Sequence, residues 1–499
     1  MKKIFFTVLL VAIALTVVGC KKDEDNRTVI RYAAWNLGNE ADNNIERRMI
    51  KAFEEENPDV RIDIIERPKV VDEEGNESDQ SWDAFFNAQA AIKKMPDVFQ
   101  VDSVVKAITN EWITDVTEYA SNDEEFNKVP VDIRESAKFG DKIFALPQAT
   151  FYFGFFINRT VIEQKSPSGA ITPEYGITFD DLMAAAKKNA KEPVSGGDGI
   201  VGIDGVGNLF QWLPAQYDSS LNWYTFNDNG YNLNSDAFKT AMTTQQAYFG
   251  ANATTHKEYV LESTSAYYGQ TENDFWSPEN RYGTGSAFEN GKQAIKWEAS
   301  YNLRNWIAAT QDTETTMPGL YGADIDFIGT PSVIIDGEKV QKIPVVIDYI
   351  GVGKGTKYPE LAYKFAKWMG FGIDGYTKRL DIAEEFPEAG AVNFAPIVQD
   401  DDLVNKYFDL YPTLTEFKKI VTSHDSFIIE SLHKVVPGYA DARWNGKYSE
   451  EKTIGKILDE ISEGIVNLND VAANLNTLVN KIYEDANKQL EEALKRYNE

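Results

Sequence analysis

The stretch Ile30–Ile62, IRYAAWNLGNEADNNIERRMIKAFEEENPDVRI, changes its apolar period twice. Val29 to Ala34 is a short apolar run suited to a strand. Ile45, Met49, Ile50 and Phe53 then recur at helical spacing until Asn57-Pro58 stops the helix. Val60, Ile62 and Ile64 alternate as a second strand. Strand, helix and strand in this order predict a βαβ unit, and with it a parallel sheet and a right-handed crossover. A third strand, Val98 to Val101, follows Pro96-Asp97. Ligands of such sheets sit beyond the carboxyl ends of the strands. That rule points at Trp35 to Asn39 after the first strand and at Asp102-Ser103 after the third. The acidic, turn-rich segment 72–80, DEEGNESDQ, is expected to be a solvated loop.

Upstream, Met1-Lys2-Lys3 precedes an apolar run from Ile4 to Val18 that is short for a membrane anchor and reads as an export signal. The run ends at Val17-Val18-Gly19-Cys20, which resembles the lipobox of bacterial lipoproteins, where the cysteine is acylated and becomes the new N-terminus. The alternative is an uncleaved anchor with an incidental cysteine. Cys20 is the only cysteine in 499 residues, so no intramolecular disulfide is available and stability must come from the core. The polar run Lys21 to Arg27 reads as a tether between lipid and fold.

The chain has 78 acidic and 50 basic residues, a formal net charge of −28 that removal of Lys2 and Lys3 makes more negative. This balance disfavours nucleic acid and a peripheral grip on anionic lipid. His256, His424 and His433 show no metal-ligand spacing, and no cofactor is expected. The segment 225–236, TFNDNGYNLNSD, has a partial EF-hand pattern, but Thr225 stands at the first ligand position and Asp236 at the last. A turn at Asn229-Gly230 before a helix capped near Ser235 explains it better than calcium.

Several segments in order, among them MPDVFQVDS, DKIFALPQATFYFGFFINRTVI, FENGKQAIKWEASYNL and GVGKGTKYPELAYKFAKWMG, resemble the extracellular solute-binding proteins of bacterial ABC importers, in particular the group with maltose- and other sugar-binding proteins. The resemblance implies an α/β, two-lobe periplasmic-binding-protein-like fold of type II, each lobe a mostly parallel sheet flanked by helices, with the ligand cleft between lobes. It implies a signal peptide at 1–19, a lipidated Cys20 and tether at 20–28, a first lobe of 29–148 plus about 350–396, and a second of about 152–346 plus 400–499. Pro147 matches the first crossing between lobes, a place for hinge dihedrals. A turn at Asn290-Gly291 should lead to a short strand and a loop of Trp297, Glu298, Ser300 and Tyr301. Tyr301 matches the aromatic that relatives point into the cleft, although they more often have Trp. Pro359 should open a helix with Ala362, Phe365, Ala366 and Met369 inside, and Asn469 should cap a long C-terminal helix.

A sugar ring presents C–H faces and a belt of hydroxyls, so its site needs aromatic platforms beside planar polar groups. The candidates by cleft-facing position are Trp35, Asn39, Asp102, Ser103, Gln148, Phe151, Trp212, Glu298, Tyr301, Tyr349 and Trp444. Trp82, Trp112, Trp223 and Trp276 fit core or rim better. The expected function is capture of a carbohydrate, an oligosaccharide first of all, by lobe closure and its delivery to an ABC permease. The chain would then act as a monomer without enzymatic activity, lipid-anchored outside the cytoplasm. A surface adhesin or a secreted glycoside hydrolase would share the composition, but a hydrolase needs two carboxylates flanking one bond, and the abundance of Asp and Glu singles out no pair.

Overall fold

The computed structural model describes residues 25–38, 40–71, 75–191, 199–248, 260–261, 286–423 and 426–498. Cys20, Asn39, His256, His424 and Trp276 lie outside the described residues.

The opening βαβ unit forms as its periodicity dictates. Strand β1 (Thr28–Ala33) pairs in parallel with β2 (Val60–Ile64), Thr28 opposite Val60. Helix α1 (Ile45–Glu56) joins them, capped by Asn44, whose side chain accepts from the Arg47 amide, and closed by Asn57. It buries Ile45, Met49, Ile50, Ala52 and Phe53. Strand β3 (Val98–Val101) adds to the other side of β1, also in parallel.

Seven further strands complete one sheet: β4 (Leu146–Asn158), β5 (Val201–Asp204), β6 (Val260–Leu261), β7 (Gln293–Ala299), β8 (Ile325–Gly329), β9 (Lys342–Val352) and β10 (Ser426–Ile429). The order is β6-β5-β7-β4-β9-β3-β1-β2, with β8 on β4 and β10 on β9. The outer strands run parallel to their neighbours, whereas β4 and β9 are antiparallel to each other, β7 and β8 to β4, and β3 to β9.

Two long strands join the two lobes. The first half of β4 pairs with β9, and its second half, Phe153 to Ile157, with β7. Likewise β9 pairs with β10 at its start and with β3 at its end. Twelve of the 13 residues of β4 are buried, and such a run of buried residues on both faces marks a strand enclosed by protein. The register slips where Asp348 faces Ala149 and Tyr349 faces Pro147, leaving Gln148 as an extra residue. Pro147 has no amide hydrogen to give and suits such a bulge, which also re-aims its neighbour. Further along, a Cβ on Gly154 would lie 2.4 Å from the carbonyl carbon of Gly329, so the contact of β4 with β8 admits only glycine.

Helices α2 (Leu303–Gln311), α3 (Pro359–Met369) and α4 (Leu468–Lys495) bear on the site and its frame. Pro359 opens α3, and Ala362, Phe365, Ala366 and Met369 are buried along it; Phe365 meets Phe53 of α1 edge-on at 5.0 Å.

Three local expectations change, and the fourth case, the expected turn at Asn229-Gly230, is met. Segment 72–80 carries part of a hairpin, Lys69–Val71 against Glu77–Asp79. Trp297 and Glu298 belong to β7 instead of a loop, because the antiparallel ladder with β4 runs on to Ala299. Asn467, two residues before Asn469, caps α4 with its side chain. The turn at Asn229-Gly230 joins a two-residue hairpin whose polar atoms serve the turn itself: Asn227 Oδ1 accepts from the Asn229 amide and Thr225 Oγ1 from the Asn232 amide.

The segment 400–499 touches both halves. Asn480 of α4 exchanges hydrogen bonds with Tyr231, while past its other end Arg496 donates to the Thr109 carbonyl at 2.9 Å and Tyr497 to that of Ile113 at 3.0 Å.

Candidate ligand cleft

Between the lobes lies a hollow of about 400 Å³. Its first-lobe wall starts where β1 ends. Trp35, 38 % exposed, receives a fixed backbone: its amide donates to Gln100 Oε1 at 2.7 Å. Gln100 Nε2 donates in turn to Gln148 Oε1 at 2.8 Å, and Gln148 Nε2 to the Tyr32 hydroxyl at 3.4 Å. The bulge at Gln148 is what turns this amide towards β3. Trp82 meets Trp35 edge-on at 6.4 Å and carries the Arg67 guanidinium over its own ring at 4.4 Å. Deeper in the wall, Glu46 is paired with Arg379, which also donates to the Met369 carbonyl at 3.2 Å and lies over Phe394 at 5.1 Å.

The floor is made by the crossing strands, with Ala149, Phe151, Val346 and Asp348. Asp348 is held by Lys434 at 2.6 Å, and Lys434 also donates to the Ile347 carbonyl. The second-lobe wall is the turn from β7 into α2: Tyr301, Asn302, Arg304 and Asn305. Tyr301 is 41 % exposed; it meets Phe151 edge-on at 5.9 Å and its hydroxyl donates to Glu298 Oε1 at 3.2 Å. Partial burial, then the Glu298 carboxylate, push that hydroxyl up to about 12. It therefore stays a neutral donor at any physiological pH.

A further group of titratable residues lies beside Tyr301. Burial pushes Glu430, at the end of β10, up to about 7, against the opposing pull of Lys434. Its charge acts on both Tyr301 and Tyr439. Burial and then Lys434 depress His433, which Asp102 and Asp348 pull the other way.

Of the expected site residues, Trp35, Gln148, Phe151 and Tyr301 come together in this hollow. Asp102 is exposed at the end of β3, within electrostatic range of His433. Ser103 Oγ accepts from the Lys106 amide and so caps the next helix. Glu298 stands behind Tyr301 and also takes the Ala299 amide at 2.9 Å. Trp444 is 44 % exposed and lies against Tyr439 at 5.4 Å, outside the lining of the hollow. Trp212 and Tyr349 are interior. Trp212 stacks on Trp297 at 5.8 Å, and the Tyr349 hydroxyl shares a 2.7 Å hydrogen bond with Ser136 Oγ. Large aromatics fill cores as readily as they line sites, and these two are enclosed on all sides. Trp112 and Trp223 are buried, as core residues should be.

Residues of the wall that sequence patterns did not single out are Asn36, Glu46, Gln100, Arg304, Asn305, Asp348, Arg379, Asn393 and Phe394. Asn36 stands within the strand-end segment Trp35 to Asn39 that the topological rule marks, Gln100 lies inside β3 just before its marked end, and Arg304 and Asn305 follow Tyr301 by one turn. Arg379, Asn393 and Phe394 have no local signal. A second hollow, about 660 Å³, lies between 131–139, 426–437 and α4, and several of its charges are already engaged. Asp132 takes the Phe427 amide, Lys138 pairs with Glu135, and Lys342 donates to the Ser219 carbonyl.

The fold has counterparts among solved structures. A sugar transporter of Rhizobium etli, in an open conformation, gives a TM-score of 0.62 at 14% identity over 91% of this chain and 99% of that one. The cyclic alpha-maltosyl-1,6-maltose binding protein of Arthrobacter globiformis gives 0.58 at 12% over 92% and 100%. An ABC substrate-binding protein of Listeria monocytogenes, in complex with cycloalternan, gives 0.55 at 16% over 91% and 98%. At such identities the likeness is one of fold. No curated protein matches the chain. No helix among the described residues is long and apolar enough to cross a membrane. The profile of the bacterial extracellular solute-binding proteins matches residues 38–370, and with most of its length in that match the chain belongs to this family of extracytoplasmic binding proteins.

Proposed function

We propose that this chain is the carbohydrate receptor of an ABC importer, anchored outside the cytoplasm through acylated Cys20 and working as a monomer without enzymatic activity. The observation that carries the reading is the composition of the interlobe hollow. Exposed Trp35 and Tyr301 stand on opposite walls among the amides of Asn36, Asn302, Asn305 and Asn393. Flat rings for C–H faces and amides that both donate and accept are what a ring of hydroxyls demands. A ligand touching both walls favours the closed arrangement, and the permease would take its load from that state. Asp102 and Trp444 would extend the contact surface past Glu430 and His433 for a chain longer than one sugar.

The test is a thermal-shift panel on the soluble form starting at Lys21, with neutral and acidic mono- and oligosaccharides, since a ligand of the folded state raises Tm by mass action. A shift with a saccharide class, reduced at least tenfold in apparent affinity by Trp35→Ala or Tyr301→Ala, is the expected result. Silence with every saccharide sinks the carbohydrate reading. Independently, Cys20→Ala should release the chain from membranes in cell fractionation; continued membrane attachment would sink the anchor.

A further inference from the structure

The charged groups around the hollow divide into engaged and free. Arg379 is taken up by Glu46, and Lys434 by Asp348. Arg304, in the first turn of α2 and in the wall of the hollow, makes no hydrogen bond, ion pair or ring contact among the described residues. It is alone in this among the described arginines. Arg31 and Arg47 donate to backbone carbonyls, Arg443 lies over Phe210 and Tyr224, and the others reach carboxylates. In a chain with 78 acidic residues against 50 basic ones, an arginine is not left free for want of acids. The acid close by in sequence, Glu298, is occupied by the Ala299 amide and the Tyr301 hydroxyl.

We infer that Arg304 is the anion-reading residue of the cleft, and that the ligand is an acidic saccharide, a sugar chain carrying a carboxylate or a sulfate ester. This rests on the carbohydrate reading above and narrows its ligand class. The guanidinium presents a planar fork of donors that matches two oxygens of a carboxylate or sulfate, and such charge-assisted pairs are the stronger kind of hydrogen bond. Arg304 stands one turn beyond Tyr301, so a sugar ring against Tyr301 would bring a ring substituent within reach of the fork. A strongly negative protein repels an anion at a distance, and the free cation supplies the local compensation that lets one enter. A neutral sugar would gain only a solvated guanidinium from the same position.

The chain from Lys21 onward is melted and titrated with neutral trisaccharides, maltotriose and xylotriose, and with acidic ones of equal length, trigalacturonate and a sulfated trisaccharide. The acidic ligand is expected to bind about tenfold or more tightly than its neutral counterpart. Arg304→Gln should erase that preference, and Arg304→Lys should keep part of it, because charge stays while the fork is lost. Salt at about 0.5 M should weaken it. Preference for the uronate alone or the sulfated sugar alone supports the proposal and names the anion. Neutral binding without acidic preference overturns it while leaving the carbohydrate reading intact, and so does a preference that survives Arg304→Gln. Silence across the whole panel overturns both.

Discussion

On the first-lobe wall of the cleft, Glu46, Gln100, Gln148 and Arg379 are locked to one another and to the backbone, whereas on the second-lobe wall Arg304 and Asn305 project from one helical turn with no side-chain partner among the described residues. The locked wall holds Trp35 in place before any ligand arrives, so little ordering entropy is lost when a ring lands on it. The free wall must order its side chains at the moment of contact. On the proposed closure, the first lobe would offer a ready-made surface and the second would adapt its side chains to the ligand. Stability and recognition are thus separated in space.

The largest effect should come from cutting into the locked wall. Arg379→Met leaves the partly buried Glu46 carboxylate without its partner, at a cost of about 3 kcal/mol, read as a drop in Tm or denaturant midpoint. Arg304→Gln, on the free wall, should change stability by no more than about 0.5 kcal/mol. Equal losses in the two variants would break the contrast between the walls. Adding Glu46→Gln to Arg379→Met should recover part of the loss, because the unpaired charge is removed with its partner.

A smaller effect on the same wall follows from Gln100→Leu. It takes the acceptor from the Trp35 amide and the donor from Gln148, two groups near or within the interior, for about 1–3 kcal/mol. Hydrogen exchange at the Trp35 amide should speed up in this variant and stay unchanged in Asn305→Leu. Unchanged exchange in Gln100→Leu would mean that the strand end is held by something other than the amide chain.

The elements that were readable from sequence are those whose period or punctuation is local. The βαβ unit is legible because Ile45 to Phe53 repeat at helical spacing between an apolar run and an alternating one, whereas Pro147 is assigned to the crossing only through the family resemblance. The position of Trp35 follows from a strand end, and that of Tyr301 from the family resemblance. What stayed hidden depends on contacts between distant segments. Nothing near Arg379 announces that it lies against Glu46, 333 positions away. Trp212 and Tyr349 could not be told from platforms, since residue type is the same and only their neighbours Trp297 and Ser136 decide that they are interior. Gln148 is a candidate by cleft-facing position, but the bulge that gives it a role appears only once β9 is paired with β4.

The smallest effect concerns an acid on the free side of the cleft. Glu46 has an arginine; Glu430 has no ion pair or side-chain hydrogen bond among the described residues, only the field of Lys434. Burial accordingly raises it to about 7, far above the ordinary 4.5 of a glutamate. Because the folded state holds this proton more tightly than the unfolded chain, the favourable contribution is complete below about 4.5 and is lost as pH rises through 7. Between pH 6 and 8 the loss should be about 1 kcal/mol. Glu430→Gln mimics the protonated form and should flatten the stability profile in that window, becoming more stable than the parent chain on the alkaline side. His433 titrates in the opposite sense: burial depresses it, so protonating it at lower pH destabilises the fold, and that limb should survive in Glu430→Gln. A parent profile that is flat between pH 6 and 8 would place Glu430 in solvent contact and make the second wall as well compensated as the first. A falling profile that the substitution flattens would show that this wall carries an uncompensated acid beside Tyr301. Ligand affinity measured across the same window would then separate the anion-reading role of Arg304 from the repulsion that Glu430 adds as it ionises.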